Sequence, residues 1–366
     1  MHPTLLVGPA DWDPAELPHG EFSARLDALW WEEPSAGGAI IYGDSRQHAE
    51  LAYFTNFTPK LEAGLALIAR ANEKGLSEAK LLVGGGINML ASARPLTWIE
   101  TLIPRRDAGA TVAQWAGELD AKRILMIGAT AMPESLHAEI IGALGPVAVV
   151  DADAGVRARM RRKSPCECTL IRRACATLDA AVTALTAANQ SGAGVTASVL
   201  AAEHAALRCG AQDVRTLFSV DQGRTLRPFT VPAEQSADPL QAYVAVRQAG
   251  YWAEGFITLS AERQAAAATA RAALRSGLAM ALPGRRRGDL ADAIARAVGA
   301  PHPVTREPVV SIGLALEESA GRADVLIAGE VLSLRAGVLD RDGAAIASAM
   351  VAVRDSGHEL LWWHGP

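Results

Sequence analysis

From Pro165 onward the chain runs twice through one order of elements, and a duplication of this kind restricts the possible folds more than any single motif does. The spacing of apolar residues predicts a long helix over about Pro165–Asn189, a Gly turn at Gly192–Gly194 and a second helix, N-capped by Thr196, reaching Cys209. Strands follow at Val214–Val220, Ala242–Val246 and Tyr251–Thr258. The order then recurs: a helix over about Ala261–Ala281, the break Pro283-Gly284, a helix over Gly288–Val298, and strands near Val309–Ala315, Val331–Val338 and Ile346–Val353. Such a repeat lets two half-sheets close on one another, with a cleft where side chains of both halves converge.

Within the first half, Asp238–Ser260 reads as a hairpin. Val244 and Val246 alternate with Ala245 and Arg247, Gln248-Ala249-Gly250 supplies the turn, and Tyr251, Ala253, Gly255 and Ile257 alternate with Trp252, Glu254, Phe256 and Thr258. Glu254 is the informative residue, with Tyr243 on the facing strand. A carboxylate on so apolar a strand needs a partner or a solvated cleft.

Before the repeat the pattern is different. Helical spacing over Glu21–Trp30, a strand over Gly38–Tyr42, and then strands at Lys80–Val83, Arg123–Ile127 and Val147–Val150 alternating with helices at Val112–Leu119 and Pro133–Leu144 predict an α/β domain. Gly84-Gly85-Gly86 reads as a turn rather than a phosphate cradle, because no helix start with Lys-Ser/Thr follows it. Asp151–Ser164, with the basic end RARMRRKSP, reads as a solvated linker. Ser164, Pro165 and Glu167 then form a sound helix start. The domain division follows as 1–155 and 156–366.

Composition excludes several functions. With 35 basic and 40 acidic residues, net charge −5 and no long block of like charge, nucleic acid is not an expected partner. No apolar run approaches a membrane span and the N-terminus lacks the pattern of a signal peptide, so a cytoplasmic protein with no membrane partner is expected. Cys166, Cys168, Cys175 and Cys209 have no accompanying His cluster; they read as thiols of a reduced compartment rather than as a zinc or redox site.

Five stretches carry a resemblance. Gly250–Thr258 (GYWAEGFIT) is similar to the return strand Gly-Tyr-x-x-Asp-x-x-Arg-Thr of the pita-bread family, which includes creatinase, aminopeptidase P and prolidase. Met160–Ala174 resembles the start of that family's second domain, and Leu51–Pro59 resembles a segment of its creatinase-type N-terminal domain. Val309–Leu314 and Gly329–Gly337 stand where the family has its Gly-His-Gly-Ile-Gly-Leu and Glu-Pro-Gly strands. The resemblance implies an α/β (α+β) chain: a creatinase-type α/β domain followed by a pita-bread domain of two pseudo-repeated halves.

It also implies five metal-binding positions, which here read Tyr243, Glu254, Val310, Arg335 and Ser348. A divalent metal needs three or more N, O or S donors, so no metal and no other cofactor is expected. The two proton-transfer histidines that the family implies match Phe229 and Glu317, while His302 reads as a satisfied or solvent-exposed loop residue. The expected site therefore comprises Glu254, Glu317 and Tyr243 as catalytic groups and Arg335, Phe229, Trp252 and Ser348 as substrate-binding groups, with Arg335 and Glu254 meeting at the centre of the cleft.

Two functions stay open. One is a metal-independent, creatinase-like enzyme that hydrolyses or eliminates at a C–N bond of a small polar nitrogen-containing molecule. The other is a catalytically silent pseudo-peptidase acting as a binding or pathway partner. A metal-dependent Xaa-Pro aminopeptidase or dipeptidase is the third and weakest reading. The family's usual pairing implies a homodimer, with Trp30-Trp31 and Tyr53-Phe54 as the aromatics that an interface would bury.

Overall fold

The computed structural model describes residues 11–59, 62–70, 78–219, 221, 223–228, 236–260, 265–299, 302, 305–318, 320–339 and 344–364. They form two compact units that divide between Met160 and Arg161.

In the first unit, β1 (Gly38–Asp44), β2 (Ala63–Ala69), β3 (Ala79–Val83), β4 (Thr101–Pro104), β5 (Arg123–Ile127) and β6 (Ala148–Asp151) make one sheet in the order β4-β3-β2-β1-β5-β6. Helices α1 (His19–Glu32), α2 (Ala49–Thr55), α3 (Leu90–Ala93), α4 (Ala108–Leu119), α5 (Glu134–Leu144) and α6 (Asp153–Met160) complete it. The core on one side packs Val112, Trp115 and Ile140 on Ile40, Leu65 and Ile124. One strand here was not expected, and two sequence expectations change. The continuous apolar run Ala63–Ala69 is a fully buried central strand without the alternation that marks a half-buried one. Part of the expected linker is α6, whose Val156 and Met160 are buried while its half-buried Arg157 and Arg159 pair with Glu50 and Glu32. Trp30, Tyr53 and Phe54 are not interface aromatics but core, and only Trp31, 86% exposed, stands free.

The second unit opens with α7 (Pro165–Gln190), started by a complete capping box in which Ser164 accepts from the Glu167 N–H and Glu167 from the Ser164 N–H. Its buried stripe of Leu170, Ile171, Ala174, Leu178, Ala181 and Leu185 recurs at helical spacing and lies on the sheet formed by β7 (Asp213–Phe218), β8 (Leu240–Gln248) and β9 (Tyr251–Leu259). Between them is α8 (Val195–Arg208), which starts two residues earlier than expected with Gly194 at the N-cap, so Thr196 lies inside the first turn. The predicted hairpin is β8–β9, with Ala249 and Gly250 at positive φ in its turn.

The second half repeats this with α9 (Ala265–Leu278), α10 (Arg287–Val298), β10 (Val309–Ser311), β11 (Val331–Leu339) and β12 (Ala344–Arg354), and adds β13 (Gly357–Trp363), which the repeat did not lead us to expect. These four strands are antiparallel in sequential order. The strand expected over Val309–Ala315 stops at Ser311, because Gly313 turns the chain back and its N–H bonds the Ala315 carbonyl.

The two sheets meet along β9 and β12, stitched by side chains rather than a backbone ladder. Ser348 Oγ accepts from the Phe256 N–H at 2.8 Å; Thr258 Oγ1 donates to the Ile346 carbonyl at 2.9 Å and accepts from its N–H at 2.8 Å; the Gln241 amide donates to Ala344 O. At Gly255 an added Cβ would lie 2.5 Å from the Trp362 ring, so glycine there lets the indole close over the seam.

Candidate functional site

Of the groups that sequence reasoning singled out, Tyr243, Glu254, Arg335 and Glu317 converge at the seam. Glu254 on β9 is completely buried, and both its oxygens are engaged. Oε1 accepts from Arg335 Nε at 2.6 Å, while Oε2 accepts from Arg335 Nη2 at 2.9 Å and from the Tyr243 hydroxyl at 2.9 Å. The guanidinium, carried on β11, is thus held edge-on by a two-pronged bond, and its remaining side donates from Nη1 to Glu317 Oε1 at 3.0 Å. The Phe256 ring lies 5.5 Å from the guanidinium carbon and 4.6 Å from the Tyr243 ring.

Burial first, and then the Glu254 carboxylate beside it, raise the Tyr243 phenol far above its ordinary value, so the hydroxyl stays a donor. Burial alone would weaken the charge on Arg335. The adjacent Glu254 and the hydrogen bonds to both carboxylates outweigh it and raise the guanidinium further. The cluster therefore sets a charged guanidinium and a neutral phenol against the Glu254 and Glu317 side chains.

Glu317 differs from the rest, with a side chain 65% exposed. It is set by its neighbour: Glu318 points inward to a 2.5 Å ion pair with the buried Lys163, and anchors the loop from which Glu317 reaches Arg335. Gly313 makes this possible, since a Cβ there would lie 2.3 Å from Glu318 Oε1 and 2.8 Å from Lys163 Nζ.

Other expected groups have other roles. Ser348 is consumed by the Phe256 N–H and is a seam stitch, not a group free to bind substrate. Trp252 lies under the guanidiniums of Arg215 (4.6 Å) and Arg247 (5.7 Å). Phe229 lies outside the described residues. His302 is fully buried and its Nε2 donates to Gly223 O at 2.7 Å. Sequence reasoning missed a second charged cluster, in which buried Glu330 accepts from Arg161, Arg287 and Ser311. Its members lie on the connection into the second unit, on α10, on β10 and ahead of β11, and nothing in local spacing links them.

A divalent metal does not fit these residues. Of the five implied positions only Glu254 bears a carboxylate, and a fixed cation already occupies both its oxygens. Among the described residues no three His, Cys, Asp or Glu side chains are grouped to hold an ion.

An α/β unit followed by two repeated halves closed on a charged seam is the pita-bread architecture. The chain is similar to the X-Pro aminopeptidase of Thermotoga maritima (15% identity, covering 90% of this chain and 97% of that one, TM-score 0.70) and the prolidase of Pyrococcus horikoshii (15%, 94% and 98%, TM-score 0.72). It is also similar to a variant of Escherichia coli aminopeptidase P (16%, 93% and 94%, TM-score 0.75). No protein-family model and no curated protein matches the sequence. No helix among the described residues is long and apolar enough to cross a membrane.

Proposed function

We propose that this chain is a catalytically silent pita-bread protein, which keeps the architecture of the peptidases it resembles and serves by binding. One observation carries the reading. The carboxylate at the centre is fully buried, and three hydrogen bonds from Arg335 and Tyr243 take up most of its acceptor positions, with a fixed guanidinium lying where a metal or a substrate cation would have to bind. Arg335 is engaged in turn by two carboxylates, which supports a structural pair over a substrate clamp.

A second reading, a metal-independent creatinase-like enzyme, is favoured by Glu317, which is solvent-accessible and positioned by Arg335. In it Glu317 moves the proton and Arg335 orients the substrate. Hydrolysis of Xaa-Pro dipeptides and of guanidino and amide compounds, with and without added manganese, zinc or cobalt, separates the readings. We expect no turnover above that of Glu254→Gln and Glu317→Gln under any condition. Turnover that either substitution removes would refute silence.

A homodimer in a reducing compartment belongs to the same proposal. The four cysteines are all free, and Trp31 is the one large aromatic left uncovered on α1. Light scattering at micromolar concentration is expected to give twice the chain mass, falling to one chain for Trp31→Glu. A monomeric mass for the native sequence would count against it.

A further inference from the structure

Ahead of α10, Arg286 and Val325 face each other as an isolated antiparallel pair. The Arg287 N–H bonds the Asp324 carbonyl at 2.9 Å on one side of the pair, and the Leu326 N–H bonds the Arg285 carbonyl at 2.8 Å on the other. This is the close, non-hydrogen-bonded kind of pair, whose two side chains stand next to each other on one face. That face is the outer one, because Leu326, the next residue, is buried in the core of the second repeat. Val325 is left 45% exposed with the exposed Arg286 beside it.

Further arginines gather here. Arg285 is exposed, and the Arg322 carbonyl accepts from the Gly288 N–H at 2.8 Å, which brings the exposed Arg322 to the first turn of α10. Arg161 donates from Nη2 to the Val325 carbonyl at 2.9 Å. The exposed Arg162 follows it, with Cγ 3.2 Å from where a Cβ on Gly329 would lie. Asp292 pairs with Arg322, while Glu330 and Asp324 answer Arg161 and Glu330 answers Arg287. Arg162, Arg285 and Arg286 form no ion pair among the described residues. The exposed Asp289 is the carboxylate nearest to the last two in sequence. The first N–H groups of α10 are spent on the carbonyls of Asp324, Arg322 and Arg286, so the positive charge of this surface belongs to side chains.

Three features narrow the chemistry of what covers it. The cations are all guanidiniums, whose forks engage carboxylates with two parallel bonds. An apolar side chain stands among them, as at the centre of a protein interface, where arginine is also enriched. The whole chain carries a net charge of −5. That charge opposes an extended polyanion such as nucleic acid or an anionic bilayer, whereas a short acidic segment feels chiefly the arginines within a screening length of about 8 Å.

We propose that Arg285, Arg286 and Val325, with Arg162 and Arg322 at the margin, dock a short acidic segment of another protein, its carboxylates on the guanidiniums and an apolar side chain between them over Val325. The proposal gives the binding role a partner chemistry, and its geometry does not rest on the silence of the Glu254–Arg335 pair. Turnover in the assays above would refute silence and leave this surface standing, whereas failure of docking would remove the surface and leave silence standing.

The test is fluorescence anisotropy of the full-length protein with a labelled peptide of four Glu-Leu-Asp repeats, against Glu-Gly-Asp and Lys-Leu-Lys repeats of the same length. We expect the Glu-Leu-Asp peptide to bind about threefold or more tighter than the Glu-Gly-Asp peptide, and the lysine peptide not to bind. Arg285→Gln combined with Arg286→Gln should weaken binding about fivefold or more, and Val325→Ser about threefold, with folding followed by circular dichroism. Arg208→Gln, at an exposed arginine of α8, should leave binding unchanged. Absence of binding, equal binding of the Glu-Gly-Asp peptide, insensitivity to the double substitution or an equal loss with Arg208→Gln would each overturn the proposal. So would tighter binding of a uridylate dodecamer or of phosphatidylserine vesicles than of the acidic peptide.

Discussion

Removing Arg335 strands a carboxylate that has no route to water. Glu254 would keep only the Tyr243 hydroxyl, and breaking a buried pair from one side costs about 3–5 kcal/mol. Arg335→Ala should lower unfolding stability in urea by that amount. Arg335→Lys should recover only part of it, because an ammonium cannot reproduce the two-pronged contact. A loss within experimental error for Arg335→Ala would show that the pair is not buried in solution. Two histidines set a second expectation at this scale. Burial, the largest cause in each case, lowers both His302 and His364 in the folded state. The unfolded chain then takes up protons first as pH falls through the ordinary histidine range near 6.5, so stability is present above that range and is lost on acidification. Denaturation midpoints measured between pH 7.5 and 5.5 should fall, and His364→Gln should flatten the fall; a rise would contradict the direction of both shifts. Much of this site was legible in the sequence. Tyr243, Glu254, Arg335 and Glu317 stand at positions that the family resemblance aligned, and they do meet. The use made of Ser348 was not legible, because its partner is a backbone N–H 92 residues away, across a seam that no local pattern describes.

Single elements were read with uneven success, for reasons of periodicity. The β8–β9 hairpin announced itself by alternation and a turn whose Ala249 and Gly250 adopt positive φ. Strand β2 is buried on both faces and has no alternation to detect, and α6 was masked by arginines that look like linker. The start of α7 was readable because capping chemistry is local: Ser164 and Glu167 are three residues apart and bond each other's N–H groups. Ser164→Ala should cost about 1 kcal/mol, the usual worth of such a cap. Glu167→Ala should cost more, since its Oε1 also accepts from the Tyr251 hydroxyl at 3.1 Å. Chemical denaturation of the two variants checks the order; equal losses would mean that the Tyr251 bond contributes nothing.

For the second unit as a whole, the seam has a consequence for how the chain can be divided. Glu254, Phe256 and Thr258 belong to the first repeat, whereas Arg335, Ser348 and Ile346 belong to the second. Each repeat alone would fold around half an ion pair and half a set of hydrogen bonds, with the charge left on an apolar strand. Neither repeat is then a viable fragment, although each has its own helices and sheet. Expressed as separate chains, residues 161–260 and 261–366 should each aggregate or stay unfolded, and should be recovered as a soluble heterodimer only when produced together. A well-dispersed proton spectrum from either piece alone would contradict this. The central charge pair thus works as a coincidence detector: the charge that each repeat carries is answered only when the other repeat is present.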